Sequence, residues 1–125
     1  MNHILKTAEQ YINNAKAEFQ DGNKNNAISL LEIAVRSAIA QLEKKYDMNG
    51  LGLPLQDRIA RFTNDYQLVN MGKVIDDLFN PVLRPIGLDH GTEQPKYSAQ
   101  QTLIAIEYAE CIIDFVRKEI GKENE

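Results

Sequence analysis

The sequence predicts an all-α fold, a bundle of four to five helices with a long second and a long last helix. Three observations carry this. Apolar residues recur at steps of three and four through most of the chain. Glycine or proline punctuates the places where that rhythm stops. Nowhere does apolar alternate with polar for a full strand beside a hairpin turn.

The first helix runs from His3 to Gln20, with Ile4, Ala8, Tyr11, Ile12, Ala15 and Phe19 on one side. Asp21-Gly22-Asn23 stops it, and Gly22 suits the left-handed position after a helix. The second follows at once, Lys24 to Tyr46, so the two form an antiparallel hairpin. Its stripe of Ala27, Leu30, Leu31, Ala34, Val35, Ala38, Ile39 and Leu42 is wider than one neighbour covers. Two helices or a second subunit must pack on it. The glycine-bearing loop 46–53 leads to Pro54, placed for the first turn of a third helix ending near Phe62. Thr63-Asn64-Asp65 reads as a break or cap. A fourth helix, Gln67 to Leu83, is weakened by Gly72 and should kink or split at Asn80-Pro81. Ser98 with Gln101 has the form of a capping box opening the last helix, Ala99 to Ile120. Gly121 ends that helix, whose stripe is Leu103, Ile106, Ala109, Ile113, Val116 and Ile120, widened by Cys111, Ile112 and Phe115. Residues 1–121 then form a single domain, and 122–125 a polar tail.

At 125 residues, with 43% apolar and 26% charged residues, the chain has the composition of a soluble globular domain able to build a core without staples. Cys111 is the single cysteine, so no intrachain disulfide forms and a reducing compartment is the default. The first residues lack the basic-then-apolar form of a signal peptide, and no run is long enough to cross a membrane. A cytoplasmic location is the expectation. The net charge of −4 divides as +1 over residues 1–46, −3 over 47–95 and −2 over 96–125. There is no basic block, so any nucleic-acid site must be local.

The chemistry concentrates in Leu83-Arg84-Pro85-Ile86-Gly87-Leu88-Asp89-His90-Gly91. Pro85 disfavours helix at Arg84, and Gly87 and Gly91 allow a tight reversal. On a continuous helix Arg84 and His90 would diverge by about 240°. Across a broken helix end they can converge, setting a permanent cation beside a group that titrates near neutrality. That pairing suits a phosphate undergoing chemistry. The structural alternative is a helix-end cation and a loop histidine bonded to backbone.

Other constellations read as structure. Asp76 and Asp77 are adjacent, diverge around their helix and read as a solvated face. Glu107, Glu110 and Asp114 share a face, but only His3 and His90 could join them as metal ligands, and Asp114 stands four residues before Lys118 as in a surface ion pair. No metal or other cofactor is expected. Cys111 falls in the apolar stripe and reads as a small core residue. The opening hairpin resembles one tetratricopeptide unit, but no second copy follows at a period of about 34 residues.

Two stretches, Leu-Glu-Ile-Ala-Val-Arg-Ser-Ala-Ile-Ala over 31–40 and Leu83-Arg84 through Asp89-His90-Gly91, resemble a HEPN-type domain. The closing Ala105-Ile106-Glu107-Tyr108-Ala109-Glu110-Cys111-Ile112-Ile113-Asp114-Phe115 is similar to the end of abortive-infection members of that group. The resemblance implies a helical homodimer, and often a metal-independent ribonuclease in which Arg and His of both subunits face one phosphate. It makes Arg84 and His90 the catalytic pair, with Asp89, Gly91 and Pro85 shaping the turn. The family usually has a polar residue, often Asn, after its Arg; this chain has Pro85. The departure favours a non-catalytic module that binds RNA, a nucleotide or an antitoxin-like partner, as in a toxin–antitoxin or antiviral defence system. A plain helical adaptor is the third reading.

Overall fold

The structure, a computed structural model, describes residues 5–50, 52–83 and 97–122. Five helices and no strand occur among them: α1 (Lys6–Gln20), α2 (Lys24–Lys45), α3 (Leu55–Ala60), α4 (Tyr66–Leu83) and α5 (Ala99–Gly121). Among the described residues no helix is long and apolar enough to cross a membrane.

The α1–α2 turn closes by backbone bonds, with the Asn23 and Asn26 side chains donating to the Glu18 carboxylate (3.0 and 3.3 Å). Gly22, at φ 87°, donates to the Phe19 carbonyl (3.0 Å), and Asn23 donates to that of Glu18 (2.8 Å). This is the six-to-one and five-to-two pattern that satisfies orphan carbonyls at a helix end, and it needs the left-handed residue that glycine supplies. The α1 helix lays Ala8, Ile12 and Ala15, spaced four and three apart, against α2.

At the centre of the bundle stands α2, which touches α1, α3, α4 and α5. Its stripe is consumed inside the chain: Leu31, Ala34, Val35, Ala38, Ile39 and Leu42 are fully buried. The width that suggested a second subunit is therefore met by four helices of one chain. It gives no ground for a dimer. Two charged residues, Glu32 and Glu43, are buried along with the apolar ones.

Pro54 lies just outside α3 as its N-cap, with extended backbone (ψ 160°), rather than in the first turn. Asp65 caps α4, its carboxylate accepting from the amides of Gln67 (3.0 Å) and Leu68 (3.4 Å). Gly72 marks close packing: a Cβ there would stand 2.6 Å from Cδ1 of Ile59 on α3. Contrary to expectation, Asn80-Pro81 does not split α4, which runs on to Leu83. Pro81 removes one ladder bond, the one that would reach the Asp77 carbonyl four residues back, and the surrounding turns of α4 hold the helix through it.

The capping box of α5 is present. The Ser98 hydroxyl accepts from the Gln101 amide (2.9 Å), and the Gln101 side chain accepts from the Ser98 amide (2.8 Å). Four of the six residues expected on the α5 stripe, Ile106, Ala109, Ile113 and Val116, are buried, as is Ile112. Leu103 is exposed, and Thr102 is buried in its place, its hydroxyl donating to the Ser98 carbonyl (3.0 Å). At the far end Lys45 of α2 donates to the carbonyls of Glu119 (2.9 Å), Ile120 (3.1 Å) and Lys122 (2.9 Å). One ammonium thus satisfies the orphan acceptors where the helix dipole is negative. The pairs Lys16–Glu110 and Arg117–Glu9 tie α1 to α5 in antiparallel register.

Candidate functional site

The expected site residues Arg84, Pro85, Asp89, His90 and Gly91 lie outside the described residues, as does His3. The structure does describe both ends of the segment that carries them. Leu83 is the last described residue of α4 and Ser98 caps α5, so the Arg84-to-His90 stretch lies between these two residues in the sequence. The chain is anchored just before that cap: the Tyr97 hydroxyl donates to the carbonyl of Leu78 on α4. Burial pushes that hydroxyl above its usual pKa, so it remains a donor at neutral pH.

Beside α4, toward α2 and α3, lies a charged cluster. Asp76, read from the sequence as part of a solvated face, is buried. One of its oxygens accepts from Arg36 (3.1 Å) and the other from the Leu55 amide at the start of α3 (2.7 Å). Asp77 is the solvated one, paired with Lys73 at 2.7 Å. The correction follows from geometry: neighbours on a helix point about 100° apart, and only one of two adjacent carboxylates reaches the α2–α3 seam. Arg36 also bonds Glu32, which is 2% exposed. Burial raises the pKa of Glu32 to about 7; Arg36 opposes the rise, while the Asp76 hydrogen bond and charge add to it. At neutrality Glu32 is therefore about half protonated, with the half-buried Arg36 guanidinium between it and Asp76. An open cleft of about 500 Å³ lies outside, lined by Arg36, Pro54, Gln56, Asp76 and Asp77 among others. Glu32 does not line it, so the proton sits behind the surface. The arrangement holds α3 and α4 onto α2 before it does anything else.

A second cluster fastens the body of α3. Arg58 donates to both oxygens of Glu43 (2.9 and 2.6 Å), and Arg61 donates to Glu43 (2.7 Å) and to the Asn49 carbonyl (2.8 Å). Burial alone would raise the Glu43 pKa, but the hydrogen bonds and charges of the two arginines outweigh it and hold the carboxyl below its usual value.

Neither cluster was singled out from the sequence. The signal available was an acidic residue inside an apolar stripe: Glu32 between Leu31 and Val35, and Glu43 directly after Leu42. A further correction concerns Cys111, which is exposed in a groove between α1 and α5 rather than part of the core. The acidic face around it is solvated: Glu110 pairs with Lys16 at 2.6 Å, and Asp114 with Arg117 at 2.8 Å and Lys118 at 3.6 Å. No group of three or more metal-ligating side chains occurs among the described residues.

The architecture is shared with solved structures. The crystal structure of TT1696 from Thermus thermophilus matches at TM-score 0.78 and 22% identity, over 95% of this chain and 99% of that one. The crystal structure of a HEPN domain protein from Thermotoga maritima matches at TM-score 0.75 and 20% identity, over 98% of this chain and 100% of that one. The fold is that of a HEPN domain. No protein-family model matches the sequence, and no curated protein does. The HEPN likeness spans all five helices, so the resemblance first seen in two short stretches extends to the whole architecture.

Proposed function

We propose that this chain is a HEPN-type helical module that acts as a homodimer and binds RNA or a nucleotide without cutting it. The observation that carries the reading is the place of the Arg84–His90 stretch. It follows the last described residue of α4 and precedes the cap of α5, in a fold whose resemblance puts an Arg–His pair there. Arg84 offers a planar cation for phosphate oxygens, and His90 a donor or acceptor that changes state near neutrality. Pro85, standing where the resembled group has a polar residue, takes away a side chain and an N–H that chemistry at the phosphate would use. An antitoxin-like protein partner fits the same surface in a defence or toxin–antitoxin setting.

The spacing of Arg84 and His90 favours a second reading, a metal-independent ribonuclease. The ribose 2′-hydroxyl would attack the adjacent phosphate, His90 would move the proton, and Arg84 would balance the charge gained by the phosphoryl oxygens. Two subunits would supply one base and one acid. A single set of measurements separates the readings: light scattering for mass, then incubation of labelled RNA and DNA with wild type, Arg84→Ala and His90→Ala, with and without EDTA. The binding reading expects a dimer of the 14.2 kDa chain that retains RNA intact. The ribonuclease reading expects cleavage of RNA but not DNA, insensitive to EDTA and reduced roughly 10²–10⁴-fold in His90→Ala. A monomer that neither binds nor cuts RNA rejects both and leaves the adaptor.

A further inference from the structure

The chain is acidic, yet one end of the bundle is not. Residues 43–62 carry Lys44, Lys45, Arg58 and Arg61 against Glu43, Asp47 and Asp57, a net +1 in a chain of net −4. How those charges are partnered matters more than their number. Lys45 bonds three main-chain carbonyls, and among the described residues it forms no ion pair with a carboxylate. Arg58 and Arg61 share the single carboxylate of Glu43 and leave one positive charge over. Lys44, in the same last turn of α2, is exposed. Two aromatic rings lie among these cations. Tyr46, where α2 ends, is 46% exposed, and its ring centroid is 5.9 Å from that of Phe62 at a tilt of 37°. The Lys45 ammonium is 5.3 Å from the Tyr46 ring, and the Arg61 guanidinium carbon is 6.0 Å from the Phe62 ring.

We infer that Tyr46, backed by Phe62, with Lys45 and Arg61 beside the two rings and Lys44 exposed in the same helix turn, is a stacking platform for a base of a single-stranded polynucleotide. The inference rests on the binding reading above and locates a contact for it. An exposed ring offers a π-face that any base can use, and cations beside it meet the phosphates on either side of the stacked base. The carbonyl bonds of Lys45 and the carboxylate and carbonyl bonds of Arg61 hold these charges in place, so little side-chain freedom is lost on binding. The platform is also distinct from the Arg84–His90 stretch. Lys45 sits at the C-terminal end of α5, and the 23 residues of α5 put its N-terminal cap, Ser98, roughly 34 Å away.

The test is fluorescence anisotropy with a labelled single strand of about twelve nucleotides, as RNA and as DNA, against wild type, Tyr46→Ala, Tyr46→Trp and Lys44→Glu. Circular dichroism checks that each variant keeps its helices. Tyr46→Ala is expected to weaken binding roughly 5- to 100-fold and Tyr46→Trp to restore it. Lys44→Glu is expected to weaken binding and flatten its salt dependence while leaving the aromatic pair intact. Similar affinity for both sugars is the expected result, since stacking and phosphate charge are common to both. Wild-type binding that Tyr46→Ala and Lys44→Glu leave unchanged overturns the platform and spares the binding module. Binding to duplex as tight as to single strand also overturns it. A wild type that holds neither oligonucleotide overturns the platform and the nucleic-acid reading together.

Discussion

Glu32 makes the stability of this domain depend on pH in an unusual direction. Most carboxylates in folded proteins stabilise at neutral pH and fail in acid. Glu32 is buried, and its pKa is raised from 4.5 to about 7. Between those values the folded chain holds a proton that the unfolded chain has released. The unfolded state thus binds fewer protons, and stability falls by about 1.4 kcal/mol per pH unit as pH rises. Integrated from pH 5 to pH 8, the loss is about 2.5 kcal/mol, with little further change above the folded value. Other groups titrate over part of this range, so the informative quantity is the difference from Glu32→Gln. The amide has the shape of the protonated acid, can donate to Asp76 and accept from Arg36, and does not titrate. Urea unfolding followed by far-UV circular dichroism across this range should show the wild-type midpoint falling by on the order of 1–2 M relative to Glu32→Gln. Parallel pH profiles for the two proteins would refute the argument, because they would mean that Glu32 titrates alike in both states.

Glu43 should behave in the opposite sense. Its pKa is lowered, so its contribution is present above the unfolded value and lost as pH falls through the folded one. Glu43→Gln strands Arg58 and Arg61 against the buried face of α2 and should cost about 3–5 kcal/mol in a urea titration at neutral pH. Ser98→Ala removes one half of the capping box and should cost about 1 kcal/mol, read in the same titration. Gly72→Ala sets a helix-propensity gain of about 1 kcal/mol against a Cβ that meets Ile59. Because the meeting atom is the tip of a side chain in a fully buried contact, a net loss is expected, measured as a lower thermal midpoint.

Much of the fold was legible because the helices carry their own punctuation. Gly22 and the Ser98–Gln101 pair fixed two termini through local hydrogen bonding alone, and both stand where they were read. Apolar spacing found α1, α2, α4 and α5, and Pro54 marked the start of α3. What it could not give was which face meets which neighbour. Leu103 and Cys111 sit within two helical positions of the true core stripe of α5, and a rotation of that size moves a side chain from core to solvent. Pro81 misled for another reason: it removes one ladder bond, and the turns of α4 around it hold the helix through it. The Arg84–His90 stretch could be read as chemistry from residue types alone, and it lies outside the described residues.

The buried acids of α2 show how the missing information was encoded. Glu32 and Glu43 are eleven residues apart, close to three full turns, so they project from one side of the helix. That side is the one α3 and α4 cover. Glu32 works through Arg36 and Asp76, and Asp76 holds the first amide of α3; Glu43 holds Arg58 and Arg61 at its other end. At six residues, α3 is too short to be stable on propensity or on the burial of Leu55 and Ile59 alone. Apolar contact would let so small a helix slide or rotate, since burial has no preferred direction. Hydrogen bonds do: a shift of one residue, about 1.5 Å along the axis and 100° around it, would break the Asp76–Leu55 bond and the Arg58–Glu43 fork together. Gly50 closes the arrangement, because a side chain there would collide with the Glu43 carboxylate and the Arg58 guanidinium. Two acids on one face of an otherwise apolar stripe, with arginines on the segment that follows, therefore mark where a short helix is clamped. The loop that leads into that helix begins at Tyr46, so the clamp that fixes α3 also fixes the ring and cations at that end of the bundle.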